Sequence, residues 1–428
     1  MKKAISIIDI FRELPLEEMA NDIKDLHMDY KAKKLDTMTV FALLVQGFLT
    51  TERLSQRYVC KGAQMACLKE LFKVDVYCGH ICHSSLSERL GKINPKFFMD
   101  TYNMLYHKVL REYGPFPLLQ SNITRVDTSC VTEAANKLKE GIRSGVNDRY
   151  GGERKLVKYG IAYDGLGVPF AEIFTSPRYS GDELALGFTV KSSIRRSHGA
   201  LQVYTFDRGT GSSKNLKEIS DMAQKKGDYF VARLKLNRHY EVFSERPVSQ
   251  TPDPDGEYEI IRDSLAYLKK PKSSLWDKSV KYRVIRVRFA APRPKSASKD
   301  SHRRKYQDEM VLITNDFDSD TMKIALIYKA RWSVEVFFKF LKQNLSFSHL
   351  MCVNPNGIQV MLYMTLIMAL LVKLYALETN QGPKMAIADI RIQISNWLYL
   401  HGGEHSMPCT RPRPHRKRET THEKSSDH

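Results

Sequence analysis

The stretch IYKARWSVEVFFKFLKQ, residues 327–343, sets Tyr328, Arg331, Glu335 and Lys342 at successive spacings of three, four and seven. At about 100° per residue on a helix, the four fall at roughly 0°, 300°, 340° and 320°. They therefore share a stripe about 60° wide, expected to be exposed. Val334, Phe337, Phe338 and Leu341 lie on the opposite side and are expected to face a core. A carboxylate, two cations and a phenol on one stripe suit metal and phosphate together.

The rest of the chain agrees with a polyanionic partner. Lys and Arg number 67 against 48 Asp and Glu, a net charge of +19 over 428 residues. Such an excess favours nucleic acid, because counterions released from phosphates drive association. Hydrophobic content of 42% is ordinary for a globular protein with a sizeable core. Asp9 interrupts the apolar residues after Lys2 and Lys3, so a secretory signal is not expected. Seven cysteines without a signal fit a reducing cytoplasm better than a disulfide framework. The apolar run Val360 to Val372 is shorter than the ~18–20 residues that span a bilayer and reads as a buried core helix, so no membrane partner is expected.

Residues 1–112 read as a compact helical N-terminal domain rich in Lys and Arg, able to set a helix in a DNA groove, with Ser85 and Glu88 as a candidate capping box. From 118 to 236 the pattern becomes three strands, helix, strand, helix, strand, with Gly227 expected to end the second helix. Residues 237–308 read as a β-rich insertion with a cationic loop. A strand at 309–315 and two helices complete a segment 309–378. The segment 379–428 ends in a basic tail that reads as disordered.

Two aspartates acquire meaning from this order. Asp127 lies in the first strand and Asp207 ends the fourth. Each alone is an ordinary strand or turn residue. On neighbouring strands, with Glu335 on a helix packed against the same sheet, three carboxylates would meet and repel unless a cation were present. Magnesium takes oxygen ligands, and a pair of ions activates a nucleophilic oxygen and stabilises the leaving one. Asp127 is expected to bridge two ions, with Asp207 and Glu335 each holding one.

Asp127-Thr128, Asp207-Arg208-Gly209 and the Tyr328, Arg331, Glu335, Lys342 run resemble the DDE transposases of the IS-four insertion-sequence group. The resemblance covers roughly 118 to 375. It implies an α/β fold: an RNase H-like catalytic core interrupted by a β-rich insertion. It also implies cut-and-paste transposition through a hairpin intermediate, dependent on two Mg²⁺ ions with Mn²⁺ able to substitute. The partners it implies are double-stranded DNA at transposon ends, target DNA, and a second copy of the chain in a synaptic homodimer. The bacterial cytoplasm, at the nucleoid, is the implied location. By the same resemblance Tyr328, Arg331 and Lys342 contact phosphates near the cleaved end, and Trp276 of the insertion stacks a flipped base. Arg208 is expected either to help hold DNA or to balance local charge. A nuclease without strand transfer and a non-catalytic DNA-binding regulator are the alternatives, the second disfavoured by three intact acidic positions.

Trp332, beside Arg331, reads as a helix-packing residue. Cys130 and Cys352 read as small buried hydrophobes. Cys78, His80, Cys82 and His83, with Cys60 and Cys67 upstream, lack the spacing of a structural zinc site.

Overall fold

The computed structural model describes residues 6–401, apart from 52, 63–75, 78, 115–121, 146, 148–150, 198–200, 249–250, 271–272 and 291–308. The chain opens with helices α1 (Ile7–Phe11), α2 (Leu16–Asp25), α3 (Thr37–Thr50), α4 (Gln56–Gly62), α5 (His83–Lys92) and α6 (Lys96–Tyr113). α3 is apolar on all sides and buried along nearly its whole length, as such a helix must be. α5 begins at His83 with Cys82 at its cap, so Ser85 lies inside the helix and the expected capping box does not form.

The sheet comes next: β1 (Ile123–Ala134), β2 (Ile142–Arg143), β3 (Arg154–Tyr163), β4 (Phe170–Phe174), α7 (Asp182–Arg196), β5 (Val203–Phe206), α8 (Ser213–Lys226) and β6 (Tyr229–Leu234). α8 ends as its sequence predicts, with Gly227 at φ 74°, a backbone that glycine adopts without a Cβ clash. β1 pairs antiparallel with β3, and β3 with β4. On its other side β1 runs parallel to β5, and β5 parallel to β6. The order β4-β3-β1-β5-β6, with right-handed helical crossovers favoured between the parallel strands, is that of an RNase H-like fold. The short β2, which adds to β3 at Leu156 and Lys155, is not foreseen in the sequence.

The insertion supplies β7 (Tyr240–Arg246), β8 (Tyr258–Leu268) and β9 (Tyr282–Phe289). These continue the same sheet, in the order β6-β10-β9-β8-β7, through β10 (Glu309–Thr314). The expected cationic loop of the insertion lies outside the described residues. A buried ion pair within the insertion fastens it to α9 (Thr321–Ala330). Arg283 donates through Nη2 to Asp263 at 2.6 Å and to Thr321 at 2.9 Å, and through Nη1 to the carbonyl of Ser319 at 2.6 Å. These contacts fix the start of α9 on the sheet.

α10 (Trp332–Asn344), α11 (Pro355–Thr379) and α12 (Pro383–His401) complete the described chain. α11 is longer than its uncharged run suggests. It is long and apolar enough to cross a membrane by length and composition, but 78% of its apolar window is buried inside the protein. It is a core helix, packed between α6 and α12. One hydrophobic cluster joins the N-terminal helices to α10, α11, α12 and the β3 face of the sheet. The tail beyond 401 lies outside the described residues.

Strand alternation sorts the remaining core. Val126, Tyr204, Phe206 and Phe230 point to the face covered by α7 and α8. Ile123, Val203 and Val231 point to the face covered by α9. Because side chains alternate along a strand, positions 123, 125 and 127 of β1 share the α9 face. Positions 203 and 205 share it too, and the next odd position is Asp207.

Candidate active site

The register of β1 and β5 brings the two aspartates together. Ile123 pairs with Val203 and Val126 with Phe206, a constant offset of 80 residues. One step further stand Asp127, still in β1, and Asp207, the first residue after β5; the two strands lie about 4.8 Å apart. β5 stops at Phe206, whereas β1 runs on to Ala134 against β3 alone. Asp127 therefore sits where β1 leaves its parallel neighbour, at the carboxyl-end crevice in which open α/β sheets place their ligands. The open edge of β1 beyond that point leaves Cys130 exposed, not buried as its residue type suggests; Cys352 is buried.

Helices α9 and α10 deliver the other groups. They are two helices rather than one, with Arg331 (φ −55°, ψ −32°) at the junction. The angular relation between Tyr328 and Glu335 survives because Arg331 keeps a right-handed helical backbone. The expected exposed stripe does not. Tyr328 is 6% and Arg331 9% exposed, turned inward by the carboxylates beneath them. Tyr328 donates its hydroxyl hydrogen to Asp207 Oδ1 at 3.2 Å. Arg331 donates to Glu335 Oε1 at 2.5 Å, and its charge also bears on Asp207 and Asp127. Val334, Phe338 and Leu341 are buried as their spacing predicts. Phe337 stacks on Tyr163 with centroids 4.4 Å apart and planes 9° from parallel, which pins α10 to β3.

The electrostatics of Asp127 reflect burial first and the neighbouring carboxylates second. Burial pushes the Asp127 carboxyl up to about 6, and the charges of Glu335 and Asp207 add to the rise. The Thr128 N–H, which donates to Asp127 Oδ1 at 2.8 Å, and the Arg331 charge offset it in part. Burial is also the main cause holding the Tyr328 phenol well above its ordinary range, so it stays a donor. Three hard oxygen ligands with one resident guanidinium suit a divalent cation chemically. Among the described residues, however, no three His, Cys, Asp or Glu side chains are gathered closely enough to hold an ion. Glu335 is engaged by Arg331 instead.

An open cleft of about 380 Å³ lies between β1 and α10. Asp127 and Glu335 line it with Lys339 and Lys342, so Lys342 shares the carboxylates' space. Arg208 is exposed in a short turn after Asp207. Trp276 is half-buried and tied to Lys269, whose Nζ stands 5.3 Å from the ring centroid, rather than to the carboxylates. Trp332 is 61% exposed, not packed, because it begins α10 on the side away from the sheet.

Arg125 carries weight that its sequence position does not advertise. Its buried guanidinium donates to the carbonyls of Ile123 (2.6 Å), Asp164 (2.8 Å) and Ala330 (3.2 Å). Ala330 is the last residue of α9, so Arg125 fastens the helix junction to β1 two residues before Asp127. The one available signal is strand parity, which puts 125 on the same face as 127.

A family model described as a transposase DDE domain matches residues 131–371. The match takes in Asp207, Tyr328, Arg331, Glu335 and Lys342, and begins four residues after Asp127. Over 63 residues the chain is 40% identical to a putative transposase for insertion sequence element IS4SA of Synechocystis sp., covering 15% of this chain and 19% of that one. It is 27% identical over 166 residues to a putative transposase, y4zB, of Sinorhizobium fredii, covering 39% and 41% respectively. The chain thus spans less than half the length of the curated relatives it matches. A solved piggyBac transposase synaptic complex with hairpin DNA aligns loosely, with a TM-score of 0.45 and 11% identity over 95% of this chain and 84% of that one. With more than half its length matched by that single model, the chain belongs to the transposase DDE domain family.

Proposed function

We propose that this chain excises an insertion sequence of the IS-four type at its terminal inverted repeats and joins it to target DNA. The observation that supports this most is the register of β1 and β5, which sets Asp127 beside Asp207 on the face where α10 presents Glu335. Asp127, Asp207 and Glu335 are the residues that would hold two Mg²⁺ ions, or Mn²⁺ in their place. When bound, such ions activate water or a 3′ hydroxyl and neutralise charge at the scissile phosphate.

The chain's own residues do the rest. Tyr328 orients Asp207 through its hydroxyl. Arg331 neutralises the carboxylates in the resting site, and releasing Glu335 frees its planar fork for a DNA phosphate. Lys342 supplies a point charge in the cleft beside Asp127, and Arg208 a second at the rim. Trp276 stacks a base displaced near the cut, consistent with a hairpin route. Two copies of the chain assemble on paired ends. The helical segment 1–112 contacts end DNA, the core is formed by 118–236 and 309–378, the insertion 237–308 lies between them, and the segment 379–428 adds a basic tail.

The test is strand cleavage by the purified full chain on supercoiled plasmid bearing the element's own ends. The expected result is end cleavage and joining that require both Mg²⁺ and Glu335, while Glu335→Ala retains DNA binding. Cleavage undiminished in Glu335→Ala would remove the catalytic assignment. Cleavage without joining would favour a nuclease.

A further inference from the structure

We infer that a second cleft, on the far side of Asp207 from α10, is a phosphodiester-binding subsite for the DNA strand that runs through the carboxylate site. This rests on the DNA-acting reading above. The cleft, of about 540 Å³, is lined by the first turn of α8 (Ser212, Ser213, Lys214), by Arg238 after β6, and by Lys269 and Lys270 at the end of β8. Chain order fixes its position: β5 ends, Asp207 is next, and the short turn Arg208–Thr210 leads straight into α8. The cleft therefore opens on the carboxyl-end edge of the parallel strands, the edge that carries the carboxylates.

Four cations meet there. Among the described residues, none of Lys214, Arg238, Lys269 and Lys270 forms an ion pair with a carboxylate, whereas nearby Lys217 reaches Asp277 at 3.5 Å. Like charges left together in one concavity repel, and a bound anion relieves the repulsion. Arg238 is held in place rather than free. Its guanidinium donates to Ser213 Oγ, which itself donates to the Lys269 carbonyl at 2.5 Å. Its Nε is buried without a hydrogen-bond partner, so the guanidinium keeps donor capacity that its surroundings leave unused. The amino end of the 14-residue α8 adds a positive partial charge, and Ser212 caps it by accepting from the Asn215 N–H at 3.3 Å.

The cleft's shape and surroundings indicate the class of anion. It is open to solvent and lined by lysine, arginine and serine, as suits a polymer backbone rather than an enclosed small ligand. Lys269 joins it to Trp276 by standing over the indole at 5.3 Å. Cations beside an aromatic face are the combination that tracks single-stranded nucleic acid.

The experiment uses the full chain, with a short duplex carrying the element's terminal sequence. Lys214→Gln/Lys270→Gln alters two exposed side chains and is expected to fold normally. Its log-affinity against log-salt slope should be shallower by about 0.9 for each phosphate that the variant no longer neutralises. In the wild type, bound duplex should protect Lys214, Lys269 and Lys270 from acetylation by an amine-reactive ester. An unchanged slope together with undiminished acetylation would overturn the subsite and leave the catalytic reading standing. A wild-type chain that binds no duplex at all would overturn both.

Discussion

Arg331 and Glu335, one helical turn apart, are bound to each other at 2.5 Å above two aspartates from neighbouring strands. The guanidinium thus supplies a positive charge that bears on Glu335, Asp207 and Asp127 alike. Arg331→Ala removes that countercharge. We expect the metal-free variant to lose on the order of 3 kcal/mol of stability, because it leaves carboxylates facing one another partly buried. If Glu335 exchanges Arg331 for Mg²⁺ as proposed, Mg²⁺ should then stabilise the variant more than the wild type. Urea unfolding with and without Mg²⁺ measures both; equal Mg²⁺ stabilisation would show that Arg331 does not compete.

Tyr328 reaches Asp207 from the last turn of α9. Tyr328→Phe removes one hydrogen bond to a charged acceptor and nothing else of size, so about 1.5 kcal/mol should be lost. If the hydroxyl orients Asp207, strand cleavage should fall further than stability and DNA binding do. Single-turnover cleavage beside equilibrium unfolding separates the two. A variant equal to wild type in cleavage would leave Tyr328 a packing residue.

The Asp127 carboxyl, raised from 3.8 to about 6, makes stability depend on pH in a particular direction. Between those two values the folded chain holds a proton that the unfolded chain has released. The contribution is therefore present below the unfolded value and lost as pH rises through about 6. The loss is at most about 3 kcal/mol without metal. It should appear as the difference between wild type and Asp127→Asn in unfolding curves at pH 4 to 8. If Mg²⁺ binds Asp127 as proposed, it competes with that proton, and its stabilising effect should be small near pH 5 and grow above 6. A wild-type minus variant difference that is flat with pH would refute the raised Asp127 carboxyl.

Arg125 ties β1 to the end of α9 and to the turn after β3 through three carbonyls. Arg125→Met keeps much of the side-chain volume but leaves those carbonyls short of donors, at a cost of about 3 kcal/mol. The junction holding Arg331 and Glu335 should loosen with it. Hydrogen exchange of the amides around 328–335 should accelerate well before that of α11 does. Uniform acceleration across the chain would mean that Arg125 serves stability alone.

Much of this protein is legible in its sequence. Helical spacing singles out Tyr328, Arg331, Glu335 and Lys342, and the burial of Val334, Phe338 and Leu341 obeys the same period. Alternation and turn residues mark β3, β4 and the αL end of α8 at Gly227, because these are local properties of the backbone. Pairing is another matter. That Val126 lies opposite Phe206, that the insertion's strands extend the main sheet, and that Arg125 reaches Ala330 depend on contacts between distant segments. The inward turn of Tyr328 and Arg331 is of the same kind. A helical wheel shows which residues share a side, but only the sheet beneath decides whether that side meets water or buried carboxylates.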